Sequence, residues 1–290
     1  MEALIQQIVS GLAAGAIYAS IALALVMIYQ STHHINFAQG EMATFSTFIA
    51  WSLIQHGLSY WLAFALAIII SFIGGVIIQR TVLRPVENAP ILNNVIVFIG
   101  LLVIFNAVSG WIFDHTIKSF PSPFDKDAWY SSQFFSAHDV GSIFVMLCVV
   151  GAVFAFFRFT PTGLAMRAAA LNPESARLVG IRVSWMLALG WGLAASIGAV
   201  AGMMIAPVVF LDPNMMAGIL LYGFAGALLG GIDNPWGAAI GGFIVGVAEN
   251  LLGAYVIGTE LKLTVALVLI VSILTIKPNG LFGKVVVSRV

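Results

Sequence analysis

Three stretches of this sequence carry residues whose type and spacing could do chemistry. The first is Asn36-Phe37-Ala38-Gln39-Gly40-Glu41, which sets two amides and a carboxylate at the start of an apolar run. Ionisable groups in such runs are costly and usually face protein or water. Asn36, Gln39 and Glu41 are therefore candidates to line a polar path, although Glu41 reads equally well as an acidic charge at a helix N-terminus. The second stretch is Glu249 with Asn250, deep in the apolar run 236–254. This pair is expected to face a cavity or the inside of a helix bundle, with a plain interhelical hydrogen bond as the alternative. Tyr222, in the run 218–231, is a candidate for the same path.

The third stretch, 160–181, is polar and helical in character. Helix formers fill 163–171. Asn172-Pro173 then reads as a cap and first position of a second helix. Glu174 complements the positive start of that helix, and Gly180 is a natural stop. Two short helices result, bearing Arg167 and Arg177 and a face of small side chains at Ala165, Ala168, Ala169 and Ala170. Another protein could approach that face closely; a helical linker is the alternative. The glycine-rich step Gly230-Gly231-Ile232-Asp233-Asn234-Pro235-Trp236-Gly237 reads as a tight turn, with Asp233 expected to cap the helix that follows.

Other chemistries are missing from the pattern. There is no G-x-x-x-x-G-K-[ST] phosphate loop. His33 and His34 are adjacent while His56, His115 and His138 are scattered, so no metal-ligand spacing exists, and no nucleophile–base arrangement is visible. No catalytic residue, metal or cofactor is expected.

The elements that position these residues follow from composition. Of 290 residues, 61% are hydrophobic and 8% charged. Soluble domains carry about 25% charged residues, so most of this surface must face lipid, where backbone polar groups are satisfied internally. The apolar runs are continuous rather than alternating, which selects helices over a barrel. The expected fold is all-α and polytopic, one transmembrane domain over 1–290. A span needs about 20 residues, and nine candidates are present: 5–29, 41–54, 61–78, 92–113, 141–157, 184–208, 218–231, 236–254 and 261–276. Runs 41–54 and 218–231 are short and could be re-entrant, giving eight or nine crossings. The first run lacks the basic flank of a cleaved signal and is expected to be retained. Cys148 lies in an apolar run and is expected to pack there.

Cationic residues orient the chain, because short loops rich in Lys and Arg stay in the cytoplasm. Nine crossings put Arg80, Arg84, Arg158, Arg167, Arg177, Arg182, Lys277, Lys284 and Arg289 on one side and only Lys118, Lys126 and Lys262 on the other. The expectation is an outside N-terminus, a cytoplasmic loop at 160–183, an external loop at 114–140 and a cytoplasmic C-terminus. Net charge is zero, and no nucleic-acid partner is expected. Small-xxx-small pairs at Gly11/Gly15, Gly198/Gly202, Gly226/Gly230, Gly237/Gly241 and Gly242/Gly246 are expected to pack helices closely; the last three could also allow sliding. No sequence repeat is visible.

Five motifs, in this order along nearly the whole chain, resemble one family. They are Asn36–Glu41, Arg80-Thr81-Val82-Leu83-Arg84-Pro85, the stretch 160–181, Phe224-Ala225-Gly226-Ala227-Leu228-Leu229-Gly230-Gly231-Ile232 and Lys277-Pro278-Asn279-Gly280-Leu281-Phe282-Gly283. Together they are similar to the permease subunits of bacterial branched-chain amino acid ABC importers, the shorter of the two permease types. One departure is Gln39, where the family often has His, which puts a proton-linked role there in doubt. The resemblance implies a bacterial inner-membrane subunit paired with a second homologous permease, two cytoplasmic ATPases and a periplasmic binding protein. It implies transport of amino acids inward by alternating access. It also makes 163–179 coupling helices, with Gly163, Arg167, Ala168, Ala169, Pro173, Glu174 and Arg177 docking on an ATPase. Urea or amide permeases of the same family, and a passive channel or facilitator, are the competing readings. The missing phosphate loop carries a direct expectation: the isolated chain binds no ATP. Specific micromolar nucleotide binding to the purified subunit would contradict it.

Overall fold

The structure, a computed structural model, describes residues 2–32, 34–87, 89–125 and 136–283. His33, Lys126 and Asp127 of the expected external loop, and Lys284 and Arg289 of the tail lie outside the described residues. Among the described residues the chain forms helices α1 (Glu2–Thr32), α2 (Gln39–Gln55), α3 (Tyr60–Ile78), α4 (Ile91–Phe113), α5 (Ala137–Phe159), α6 (Pro161–Leu171), α7 (Pro173–Leu178), α8 (Val183–Val209), α9 (Met216–Gly230), α10 (Pro235–Leu252) and α11 (Lys262–Ile276). Beyond them, the described residues show a single isolated β-bridge, between Lys118 and Leu211. Seven of the helices, with their terminal turns, are long and apolar enough to cross a bilayer. The two expected to be short are short: α2 has 17 residues and α9 has 15. At about 1.5 Å per residue neither matches the roughly 30 Å hydrocarbon core. The fold is thus all-α and polytopic.

Two compact units divide the chain. One comprises residues 1–26, 124–147 and 218–290, the other residues 27–123 and 148–217. In the second unit α8 is the central helix, with α2 and α3 packed on it and α4 on α2. A Cβ added at Gly198 would meet Gln39 and Ala43, and one at Gly202 would meet Ala43 and Thr47. The numbers rise together, so α2 runs parallel to α8. On the other side, Gly75 lies against Trp191 and Ala195 while Ser196 bonds to Ile68, so α3 is antiparallel.

The first unit repeats this arrangement with α1 at its centre. Tyr18 stacks on Tyr222 and Ile21 touches Gly223, which sets α9 parallel to α1. Gly11 lies against Val247 and Gly15 against Phe243, which sets α10 antiparallel. The chain in fact runs twice through one plan: long helix, linker, short helix, turn, long helix, π-helical turn, 3₁₀ turn, helix. The described parts of the linkers are 34–38 and 210–215, the π-helical turns Gln79–Leu83 and Gly253–Ile257, the 3₁₀ turns Arg84–Val86 and Thr259–Leu261. Each unit packs the long helix of one pass on the short and long helices of the other.

Local chemistry sets the ends. Asn234, not Asp233, caps α10: its Oδ1 accepts the N–H groups of Trp236 and Gly237 at 3.1 and 3.3 Å. Pro235 at the first helical position fixes Asn234 as the residue before it. The segment after α11 folds back on the same turn, where Leu281 and Phe282 donate to Leu229 and Gly230 at 2.7 and 3.1 Å and Asn234 Nδ2 donates to Phe282 O. Two motifs far apart in sequence thus close one structure.

The glycine pairs all pack helices within a unit. A Cβ at Gly226 would lie 2.7 Å from the Cα of Gly242, and one at Gly242 would strike the α1 backbone at Ala19. Gly242→Val should therefore cost at least about 1–3 kcal/mol of stability through overpacking, seen as a lower Tm of the detergent-solubilised chain. Gly74→Ala, with nothing within 4 Å of the added carbon, should leave Tm close to wild type. Equal Tm values for the two variants would refute this account of the core.

Candidate path and coupling sites

The structure gathers the sequence-picked path residues into two sets, one in each unit. In the second unit Asn36 and Gln39 are fully buried and Glu41 is 5% exposed. Asn36 shapes the start of α2. Its Oδ1 accepts the Ala38 N–H at 3.0 Å, its backbone O accepts the Gln39 N–H at 3.3 Å, and its Nδ2 donates to Gln39 Oε1 at 3.3 Å. Gln39 Nε2 in turn donates to the Ala194 carbonyl at 2.9 Å. Ala194 is near the midpoint of α8. The motif therefore sits halfway along that long apolar helix, not at the mouth of a membrane segment as its sequence position implies. Helix α1 runs on to Thr32, and residues 34–38 lead into α2. Irregular backbone at that depth requires internal hydrogen bonds, and Asn36 supplies them.

Sequence reading missed the partner of Glu41. Asn106, in the middle of α4, donates from Nδ2 to Glu41 Oε2 at 3.3 Å, to the Pro213 carbonyl at 3.1 Å and to Asn214 Oδ1 at 2.9 Å. A lone amide inside an apolar run was the available signal.

In the first unit Tyr222, Glu249 and Asn250 are buried and belong to one network. The Tyr18 hydroxyl donates to Glu249 Oε2 at 2.7 Å. The Tyr18 and Tyr222 rings stack with centroids 4.8 Å apart. Lys262 Nζ donates to Asn250 Oδ1 at 2.6 Å and stands 3.7 Å from Glu249 Oε1. Glu249 is thus charge-paired. Neither Tyr18 nor Lys262 was singled out by the sequence; Lys262 reads there only as a loop charge.

The third site is the hairpin of α6 and α7. Thr160 caps α6 by accepting the Gly163 N–H at 3.0 Å, and Asn172 caps α7 by accepting the Ser175 N–H at 2.9 Å. Gly163 is buried where a Cβ would strike the Phe156 carbonyl, so it lets α6 fold against the end of α5. Pro173 starts α7, and Arg167, Glu174 and Arg177 are exposed. The face of small side chains does not point outward as expected. Ala169 is 2% exposed and packs with Ala176, Val183 and Leu187, while Ala165, Ala168 and Ala170 are half-buried. Helix α6 must lie on α8, and small residues permit it. The outward face instead carries Leu164, Leu171, Leu178 and Val179, which are 61%, 86%, 89% and 76% exposed.

Buried amides and carboxylates partway along apolar helices, with seven helices long and apolar enough to cross a bilayer, are those of a multi-pass membrane protein. Residues 7–274 match the family described as branched-chain amino acid transport system, permease component, and the chain belongs to that family. It is 33% identical to the high-affinity branched-chain amino acid transport system permease protein LivH of Salmonella typhimurium, over 99% of this chain and 97% of that one. It is 32% identical to LivH of Escherichia coli over the same shares. With BraD of Pseudomonas aeruginosa the identity is 29%, over 99% and 98%.

The Glu249–Lys262 pair gives a test. Lys262→Met leaves a buried carboxylate without its cation and should lower stability by about 1–3 kcal/mol. That is below the figure for fully buried pairs, because the Lys262 side chain is 28% exposed. Lys262→Met combined with Glu249→Gln should recover most of the loss. A double-mutant cycle on Tm checks it; additive losses would show that the two groups do not interact.

Proposed function

We propose that this chain is the membrane-spanning subunit of an ATP-driven importer that carries branched-chain amino acids into the cell by alternating access. Hydrolysis belongs to two cytoplasmic ATPase subunits, and a second homologous permease and a periplasmic binding protein complete the assembly. The whole chain acts as one transmembrane domain. The hairpin end and the C-terminus face the cytoplasm, in line with the cationic asymmetry. Asn36, Gln39, Glu41, Tyr222, Glu249 and Asn250 line or border the substrate path. Gly163, Arg167, Ala168, Ala169, Pro173, Glu174 and Arg177 form the coupling element. Within it the exposed side chains meet the ATPase, and Gly163 and Ala169 hold the element to the permease. The substrate follows from the family and from the names of the relatives.

The observation that carries the coupling role is the exposed apolar face of the hairpin. Leu164, Leu171, Leu178 and Val179 are exposed on the same hairpin as the exposed Arg167 and Arg177. Exposed apolar patches rimmed by polar groups mark protein docking surfaces. Replacing Leu171 and Leu178 together by Glu should cut ATPase association and amino acid uptake by at least about tenfold, with membrane insertion and Tm unchanged. Full assembly and uptake in that variant would reduce the hairpin to a connector. Uptake by the reconstituted chain alone, without ATP or partners, would instead establish a passive channel.

A further inference from the structure

The motif Arg80-Thr81-Val82-Leu83-Arg84-Pro85 belongs to neither the path nor the docking hairpin. It lies where α3 ends, within the second unit, and the turn there places its arginines. Residues Gln79–Leu83 form a π-helical turn in which the Arg84 N–H donates to the Gln79 carbonyl. That i→i+5 bond sets Arg84 about one turn beyond Arg80. Arg80 reaches over the start of α8, where its guanidinium carbon is 3.5 Å from the centre of the Trp185 ring. Arg182 comes three residues before Trp185, and its carbonyl accepts the Trp185 N–H at 2.9 Å. Three cations thus gather around one indole.

Nothing in the described chain answers these charges. Among the described residues none of Arg80, Arg84 and Arg182 is ion-paired, and Glu87, three residues after Arg84, pairs with none of them. The Arg80 guanidinium makes no hydrogen bond there either. Its Nε is enclosed without a partner, which leaves Nη1 and Nη2 as the donors open to a ligand. An arginine stacked on an aromatic face is held as a flat fork that matches phosphate.

The surroundings are those of a lipid contact. Ile69, Ile73, Ile77 and Arg80 recur at helical spacing and share one side of α3 and its terminal turn. The three isoleucines are about half exposed, so Arg80 ends an apolar stripe that faces outward. Trp185 is 38% exposed, and tryptophan at the end of a span sits at headgroup level. Basic pockets between helices at that level take anionic headgroups. A soluble phosphate would use the arginines alone, whereas a lipid uses the stripe as well.

We propose that this corner binds one anionic phospholipid of the surrounding bilayer. The Nη groups of Arg80, with Arg84 and Arg182, hold its phosphate, and its acyl chains lie along Ile69, Ile73 and Ile77. Because Arg80 follows α3 and Arg182 precedes α8, the headgroup bridges the two helices. The site uses no residue of the path or the hairpin, so it can fail without the transport reading, and the transport reading without it.

The test is native mass spectrometry of the full chain in detergent, titrated with phosphatidylglycerol or with phosphatidylcholine of the same acyl chains. Wild type should retain one phosphatidylglycerol, bound at least about tenfold more tightly than phosphatidylcholine, the worth of a charge-assisted hydrogen bond. Arg80→Gln should abolish that preference. Arg84→Gln combined with Arg182→Gln should abolish it too, with Tm unchanged, since both side chains are exposed. Arg158→Gln, an exposed cation at the end of α5, should leave the preference intact. The proposal is overturned if both lipids bind alike, or if the preference survives in the Arg80 variant and in the double variant. It is overturned if Arg158→Gln costs as much as Arg80→Gln, which would make the attraction diffuse. Displacement of the lipid by equimolar glycerol 3-phosphate would make this a site for soluble phosphate and would sink it as well. So would an Arg80→Gln variant that binds lipid normally but loses its ATPase subunits, because the corner would then be a protein contact.

Discussion

In lipid the inside of a protein is no more apolar than its surroundings, so helices associate through close backbone approach and polar bonds. That constraint shapes every element of this molecule. Large apolar side chains of α3 such as Trp61, Ile69, Ile73 and Ile77 are about half exposed. The side chains of α3 that are buried are Ala63, Ala67 and Ser71, with Gly75 beside them. Helix α10 does the same with Gly237, Gly241, Gly242 and Gly246. The bundle is held where there is least side chain, because there the backbones touch.

Close packing of this kind leaves little room for unpaired polar atoms, and that explains how the buried ones are arranged. Glu41 accepts from Asn106, Glu249 has Tyr18 and Lys262, and Gln39 reaches a carbonyl of α8. Each is held by a group from another helix, so each is both a bond that fixes packing and a polar point within an apolar wall. For Glu41 and Glu249 the plainer sequence alternatives, a helix-start charge and an interhelical hydrogen bond, describe real contacts, and those contacts are compatible with bordering a path.

What the sequence could and could not convey follows from range. Helix limits are local: an apolar run ends where polar or turn residues begin, and the expected spans fall within a few residues of those found. The hairpin was legible for the same reason, since Asn172 and Pro173 act on neighbours within three positions. Depth and partnership are not local. Separations of 65 positions between Glu41 and Asn106, and of 231 between Tyr18 and Glu249, hide both pairs. The repeated plan was hidden because its paired elements share geometry rather than residues: α2 begins Gln39-Gly40-Glu41 and α9 begins Met216-Ala217-Gly218. Ala169 was misplaced on the outer face because small size permits contact with any partner, and the nearest one available was the chain's own α8.

That inward turn of Ala169 has a mechanical consequence. The hairpin is seated on α8 through Ala169, Ala176, Val183 and Leu187, and Gly163 seats it on the end of α5. Helix α8 then runs on to Ala194, whose carbonyl holds Gln39, and to Gly198 and Gly202, which admit α2 at van der Waals range. Every link is a direct contact between close-packed atoms, and close-packed interiors transmit displacement rather than absorb it. On the proposed coupling role, a push on Leu171 or Leu178 at the exposed face would travel along α8 to the start of α2, where Asn36, Gln39 and Glu41 are anchored. An outward-facing alanine surface would have bound a partner but left the hairpin loose on its stem. The buried one seats the hairpin on α8, and that attachment is what the proposed coupling role requires if an event at the exposed face is to reach the buried polar residues at the start of α2.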